Sequence, residues 1–349
     1  MEASSSSKFL LSDFASGSPF IPSKYIRPVG DRPELDGVEN SGEGAIPVID
    51  LSGLNGPHRH KVVTEIGMAC KNAGFFKVKK HGIPKEVLHR MLHASKAFFH
   101  LPESARLKNY SDDPTKSTRL STSFNIATEK LSSWRDYLRL HCHPIEAFIN
   151  EWPSQPPSFK QAAADYASHV RCLTLLLLSA ISESLSMKSG YLERALGRHA
   201  QHMAINYYPK CPQPDLTYGL PGHKDPNVIT ILMQDGVSGL QVMRDGKWVS
   251  VEAKAGELVV NVGDQLQVLS NGRYKSVLHR AVVNKDLERL SVPTFYCPGP
   301  ETVVEAAEEL VDKEHPRLYK KFTYEDYTDK FWKGGLRMES CLDLFRESE

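Results

Sequence analysis

The sequence predicts an α+β protein, with a helical N-terminal half and a C-terminal half built as a β-sandwich, jelly roll or barrel. Three observations carry this. Between His202 and Cys297, seven short β-rich runs alternate with Gly, Pro, Asn and Asp: MAINYYP, VITILMQ, GLQVM, KWVSV, ELVVNVG, SVLHRAVV and LSVPTFYC. That is the spacing of a closed or two-sheet β fold. Upstream, three segments repeat apolar residues at helical spacing. Finally, 349 residues at 40% hydrophobic and 24% charged composition suffice for a large core, as two domains or as one β domain with helical additions.

Taken in order, residues 1–45 are rich in Ser, Gly, Pro and charge and read as an extended arm. Ile46–Leu51 (IPVIDL) reads as a short strand, and Arg59–Ala73 as a helix on its apolar positions Val62, Val63, Ile66, Met68, Ala69 and Cys70, with Gly74 as its stop. Phe75–Val78 is a strand. After the turn His81–Pro84, a helix runs to Phe99 with Leu88, Met91, Leu92, Phe98 and Phe99 at helical spacing. From Tyr110 to Pro144 the pattern is irregular, aromatic and basic, with no element assigned. A long amphipathic helix spans Ser158–Ser186, and the charged stretch from Ala306 is helical in part.

Charge and cysteine content exclude several functions. With 43 Lys+Arg against 42 Asp+Glu the net charge is +1, so no nucleic-acid partner is expected. The most apolar run, Leu173–Ala180, is far short of the roughly 20 residues that cross a bilayer. The N-terminus lacks the basic region and long apolar stretch of a secretory signal, so a cytoplasmic (or nuclear) monomer acting on a small molecule is expected. The six cysteines are scattered singly, as free thiols in a reducing compartment are.

The chemistry-bearing pattern begins at His223-Lys224-Asp225. Residues i and i+2 of an extended segment share a side, so one imidazole and one carboxylate can reach a common metal. His279, 54 residues beyond Asp225 on another β run, completes a two-His, one-carboxylate facial triad, which leaves open positions and suits non-haem Fe(II). On the following strand Arg289, Ser291, Pro293, Phe295 and Cys297 share a face. A guanidinium on the inner face of a β fold needs an anion, and with a neighbouring hydroxyl it cradles a carboxylate. His202, Ala204, Asn206 and Tyr208 share a face of the strand before the triad. Alone, each has an ordinary reading: His279 as a core histidine, Arg289 as half of a surface ion pair beside Glu288. Their joint order on β runs does not.

These motifs resemble those of the plant 2-oxoglutarate/Fe(II)-dependent dioxygenases over nearly the whole chain. IPVIDL and GFFKVKKHGIP resemble the family's N-terminal domain; NYYPKCP, the His223/Asp225/His279 triad and Arg289-Leu290-Ser291 resemble its core. TRLSTSFN, WRDYLRLHCHP, GLPGHKDPNVIT and KSVLHRAVVN are similar to the downy-mildew-resistance branch and most of all to its salicylic acid 3-hydroxylases. The resemblance implies a double-stranded β-helix (jelly-roll) core flanked by N-terminal helices and a C-terminal helical segment. Its implied divisions are an arm (1–45), an N-terminal dioxygenase domain (46–150), a supporting helix (151–197), the core (198–300) and a helical tail (301–349).

It also implies that His223, Asp225 and His279 hold Fe(II), that Arg289, Ser291, Tyr208 and Asn206 bind 2-oxoglutarate, that O2 is consumed and that ascorbate supports turnover. Salicylate would be hydroxylated to 2,3-dihydroxybenzoate, or at the 5-position to 2,5-dihydroxybenzoate, lowering salicylate in plant defence and senescence. The substrate pocket would be lined by Tyr137, Arg139, Arg119, His202, Ala204, Phe295 and Cys297, with Arg139 placed to pair with the substrate carboxylate unless it pairs with Asp136. The alternatives are a flavonoid dioxygenase (flavanone 3-hydroxylase or flavone synthase) and, in other classes, a non-catalytic metal-bound β-barrel binding module or a cupin-like isomerase.

Overall fold

The computed structural model describes residues 10–15, 17–34, 46–122, 129–336, 338 and 340–347. Parts of the expected arm (residues 1–9, 16 and 35–45) and the last residues of TRLSTSFN (123–125) lie outside them.

Among the described residues twelve strands form two sheets, apart from a separate two-stranded ribbon of Val303–Val304 with Phe322–Thr323. They are β1 (Val48–Asp50), β2 (Phe75–Lys79), β3 (Thr118–Ser121), β4 (Asp136–His143), β5 (Ala200–Tyr208), β6 (Leu220–His223), β7 (Ile229–Gln234), β8 (Leu240–Arg244), β9 (Lys247–Val251), β10 (Leu258–Val262), β11 (His279–Ala281) and β12 (Arg289–Cys297). The larger sheet has the order β1-β2-β10-β7-β12-β5-β4-β3 and the smaller β6-β11-β8-β9. All pairings are antiparallel except β1 with β2. Two facing antiparallel sheets make the expected jelly roll, with β1–β4 of the N-terminal half hydrogen-bonded into the same sheet as the core strands.

The alternation of β12 shows why this arrangement is stable and where the site lies. Leu290, Val292 and Tyr296 point to one side and join the apolar cluster of the helix Phe159–Ser184. Arg289, Ser291, Pro293 and Phe295 point to the other, into the space between the sheets. The helix buries Tyr166, Val170, Leu173, Leu177 and Ile181 along one stripe, as its periodicity requires. Leu177→Ala is therefore expected to destabilise the protein by about 2–5 kcal/mol through lost transfer energy and a residual cavity, read as a lower denaturation midpoint. The helix Arg59–Asn72 ends where expected: Gly74 has φ +64°, and its N–H donates to the Ala69 carbonyl.

Three features depart from the sequence pattern. The irregular stretch Tyr110–Pro144 contains two strands, β3 and β4, because β4 finds partners on both sides in β3 and β5. The run at 276–283 is reduced to the three residues of β11, where a register shift between His279 and Ala281 interrupts pairing with β6. In the arm, the short helix Leu11–Ala15 is docked: the N–H groups of Leu11 and Ser12 donate to the two carboxylate oxygens of Asp136 at 2.9 and 2.8 Å. No helix among the described residues is long and apolar enough to cross a membrane. All six cysteines are free thiols.

Candidate active site

The site is assembled by register. β6 and β11 pair with His279 opposite His223, which places the two imidazoles 4.3 Å apart between ring centroids. Asp225 follows two residues after the end of β6. Its Oδ1 lies 3.7 Å from His223 Nε2 and 3.6 Å from His279 Nε2, and all three groups are buried. Each ligand is held from behind. The Nδ1 atoms of His223 and His279 face the carbonyls of Pro221 at 2.8 Å and Val277 at 3.1 Å, which leaves both Nε2 atoms pointing inward. Asp225 Oδ2 accepts from Thr230 Oγ1 at 2.6 Å and Asn261 Nδ2 at 2.7 Å, freeing Oδ1 for the centre of the triad. Phe75 packs edge-on against the His279 ring.

Burial and the neighbouring His279 push His223 down to about 3, so it is a neutral donor at physiological pH. Burial alone would raise Asp225, but the two imidazoles and two donated hydrogen bonds hold it below the ordinary carboxylate value. Two imidazole nitrogens and a carboxylate converging on one point make a facial donor set that fits a divalent iron and leaves coordination positions open. Among the described residues no other group of three or more His, Cys, Asp or Glu converges in this way.

An inner chamber extends from the triad between the sheets to Arg289. The Arg289 side chain runs past Gly239, where a Cβ would come within 2.9 Å of its Cδ and of the Val282 carbonyl. Its Nε donates to the Val237 carbonyl at 3.1 Å and its Nη2 to Gln234 Oε1 at 2.8 Å, and the guanidinium lies over the Tyr208 ring. Nη1 is buried with no hydrogen-bond partner among the described residues. A buried, oriented and unsatisfied donor with the Ser291 hydroxyl on the same face calls for an anionic acceptor, and the far carboxylate of a dicarboxylate fits it. Glu288 does not pair with Arg289; it bonds Lys96 and Tyr207 on the outer side of the sheet.

An outer chamber shares Arg135, Ala204, Leu220, His223, Asp225 and Phe295 with the inner one and continues to Tyr137, Arg139 and His202. Along β4 and the residue before it, period-two alternation turns Arg135, Tyr137, Arg139 and His141 to one face and Asp136 to the other. Asp136 therefore cannot pair with Arg139. The Arg139 Nη2 donates to the Pro114 and Lys116 carbonyls at 2.6 and 2.5 Å, while its Nε is buried without a partner among the described residues. Burial lowers the guanidinium pKa from its ordinary value. His202 is stacked between His141 and Phe295 on the neighbouring strands.

Two expected pocket residues take other places. Arg119 lies behind the pocket wall, its guanidinium donating to the Tyr137 hydroxyl, Ser121 Oγ and the Ser111 carbonyl, so it braces Tyr137. Cys297 shares the inward face of β12 but stands one layer back, its thiol 3.8 Å from His202 Nδ1. Four lining residues of the outer chamber, Arg135, Phe331, Trp332 and Leu336, escape the sequence reading. Arg135 sits in the quoted WRDYLRLHCHP motif and would have followed from extending the Tyr137/Arg139 alternation by one step. Phe331, Trp332 and Leu336, around the C-terminal end of the helix Tyr324–Gly334, close the outer chamber and carry no local signal for it.

Residues 199–298 match the family described as the 2OG-Fe(II) oxygenase superfamily, and residues 46–155 that described as non-haem dioxygenase in morphine synthesis N-terminal. The chain is 55% identical over 344 residues to the Arabidopsis thaliana protein DMR6-LIKE OXYGENASE 2, covering 98% of this chain and 99% of the relative. It is 50% identical over 327 residues to Flavanone 3-dioxygenase 2 of Oryza sativa subsp. japonica, covering 93% and 94%. Among solved structures, JOX2 in complex with 2OG, Fe, and JA superposes with a TM-score of 0.89 at 33% identity, covering 97% of this chain and 98% of that one.

Proposed function

The chain belongs to the 2OG-Fe(II) oxygenase superfamily, within its DMR6-like branch, and from that membership we propose that this dioxygenase hydroxylates salicylate at the 3-position. The overall reaction converts salicylate, 2-oxoglutarate and O2 to 2,3-dihydroxybenzoate, succinate and CO2, one oxygen atom entering each organic product. Bound iron supplies the oxidising chemistry that couples decarboxylation to substrate oxidation.

The residues of the chain do the rest. His223, Asp225 and His279 hold the metal with their ligand atoms preset by Pro221, Val277, Thr230 and Asn261. Arg289 and Ser291 take the far carboxylate of the cosubstrate at the closed end of the inner chamber, and Tyr208 and Asn206 line the space between that end and the metal. Arg139 takes the substrate carboxylate in the outer chamber, with Tyr137, Phe295 and Trp332 flanking the ring. The lining of the inner chamber is buried almost throughout, which keeps water from the metal side, whereas the outer chamber includes the half-buried His202, Leu220, Phe295, Trp332 and Leu336.

The observation that carries the acidic substrate is Arg139, a buried cation that lines the chamber next to the metal ligands and whose Nε has no partner among the described residues. An uncharged substrate would leave that donor unsatisfied, at a cost that selects against it. A second reading, a flavonoid dioxygenase, is favoured by the 50% identity to the rice flavanone dioxygenase and by the flat walls that Phe295, Ala204 and Trp332 offer a bicyclic ring.

Arg139→Ala separates them. With salicylate as the true substrate, kcat/KM for salicylate should fall about 100-fold and that for a neutral flavanone by less than about threefold. Equal losses on both substrates would exclude Arg139 as the carboxylate anchor.

A further inference from the structure

Resting on that reading, we infer that Arg135 bonds the phenolic oxygen of bound salicylate and is the residue that decides 3- over 5-hydroxylation. The need for such a residue follows from the substrate's symmetry. Carbons 3 and 5 are both meta to the carbon carrying the carboxylate, so an anchor on the carboxylate alone presents them equally, related by a half-turn of the ring about its long axis. The hydroxyl breaks that symmetry. When carbon 3 faces the metal the hydroxyl lies on the metal side of the ring; when carbon 5 faces it, the hydroxyl lies on the far side. A hydrogen-bonding group on the metal side therefore selects carbon 3.

Arg135 occupies that side. It lines both the inner chamber and the outer one, together with His223 and Asp225, whereas Arg139 and His202 line only the outer. Its guanidinium lies 4.7 Å over the Tyr137 ring, leaning along the strand face toward Arg139. Nη1 is fixed by the Asn206 Oδ1 acceptor at 2.6 Å, and Nε is buried with no partner among the described residues. The side chain is thus immobilised, charged and one donor short of satisfaction beside the metal ligands. In either orientation one ring C–H becomes C–OH with the oxygen drawn from O2; Arg135 changes only which hydrogen is replaced.

The test is the ratio of 2,3- to 2,5-dihydroxybenzoate formed by the full-length Fe(II)-loaded enzyme, with salicylate affinity measured anaerobically from the ligand's own fluorescence. Arg135→Gln should lower the ratio about tenfold, the scale of one lost charge-assisted hydrogen bond. Arg139→Ala should weaken salicylate binding with the ratio unchanged, and His202→Phe should leave the ratio unchanged or higher. A ratio within twofold of wild type in Arg135→Gln, while wild type makes 2,3-dihydroxybenzoate, overturns the assignment alone. Wild type that forms neither dihydroxybenzoate overturns the substrate reading and the assignment with it. Should the glutamine variant not accumulate as folded protein, Arg135→Lys decides on the same ratio: a fall of about threefold is expected, and the wild-type value overturns the assignment.

Discussion

Asp225→Ala abolishes turnover, with kcat/KM falling by at least about 10³-fold, and the purified protein loses its iron. Asp225 is the anionic member of the triad, and its Oδ1 is the atom that lies within 3.7 Å of both imidazole Nε2 atoms. Removing it leaves two imidazole nitrogens without the carboxylate, which bind a divalent ion far less tightly than the full facial set. The lost turnover corresponds to about 4 kcal/mol of barrier, in the range expected when the metal that would supply the oxidising chemistry is lost. Thr230 and Asn261 lose a hydrogen-bond acceptor in the variant, but Thr230 Oγ1 keeps the Asn227 amide beside it, and the two residues stay opposite each other in the β7–β10 ladder. The fold should therefore survive. Metal content, activity and circular dichroism measured on one preparation check all three statements. Iron retained with activity within tenfold of wild type would remove Asp225 from the mechanism.

The parts of this site that were legible in the sequence are those set by local period. His223 and Asp225 are two residues apart, and Arg289, Ser291 and Phe295 follow strict alternation on β12, so their common face could be read before their partners were known. What period cannot supply is depth. Cys297 and Phe295 share a face, yet Phe295 borders the cavity while Cys297 is covered by His202. Arg119 and Arg139 lie directly opposite each other on β3 and β4, and the sequence offers both as cations for an anion, Arg119 as the weaker candidate. Only the packing shows that Arg119 spends its donors on Ser111, Ser121 and Tyr137. Strand β4 itself was hidden because it is buried on both faces, and its charged residues Arg135, Asp136 and Arg139 erase the usual apolar alternation. The lid residues Phe331 and Trp332 reach the chamber from a helix more than 100 residues away from β5, a contact that no spacing rule contains.

Arg289→Met raises the KM for 2-oxoglutarate about 100-fold, while the KM for the aromatic substrate moves by less than about threefold. The asymmetry follows from where the guanidinium stands. Arg289 lines the inner chamber and not the outer one, so it reaches the cosubstrate and not the ring bound beyond the metal. Two of its nitrogens are tied to Val237 and Gln234, which fixes the direction of Nη1 before any ligand arrives, so little ordering entropy opposes binding. A buried charge-assisted pair of this kind contributes about 3 kcal/mol, and that is the 100-fold in affinity. Methionine fills the channel beside Gly239 without a charge and strands the carboxylate against Tyr208 and Ser291. Arg289→Lys restores the charge but not the fork, because an ammonium cannot hold Gln234 and Val237 and still present a second donor at the Nη1 position. Its 2-oxoglutarate KM should lie between the two, nearer the methionine variant. A direct titration with N-oxalylglycine, a non-reacting analogue of the cosubstrate, should show the same order of affinities, and an unchanged 2-oxoglutarate KM in Arg289→Met would place the far carboxylate elsewhere.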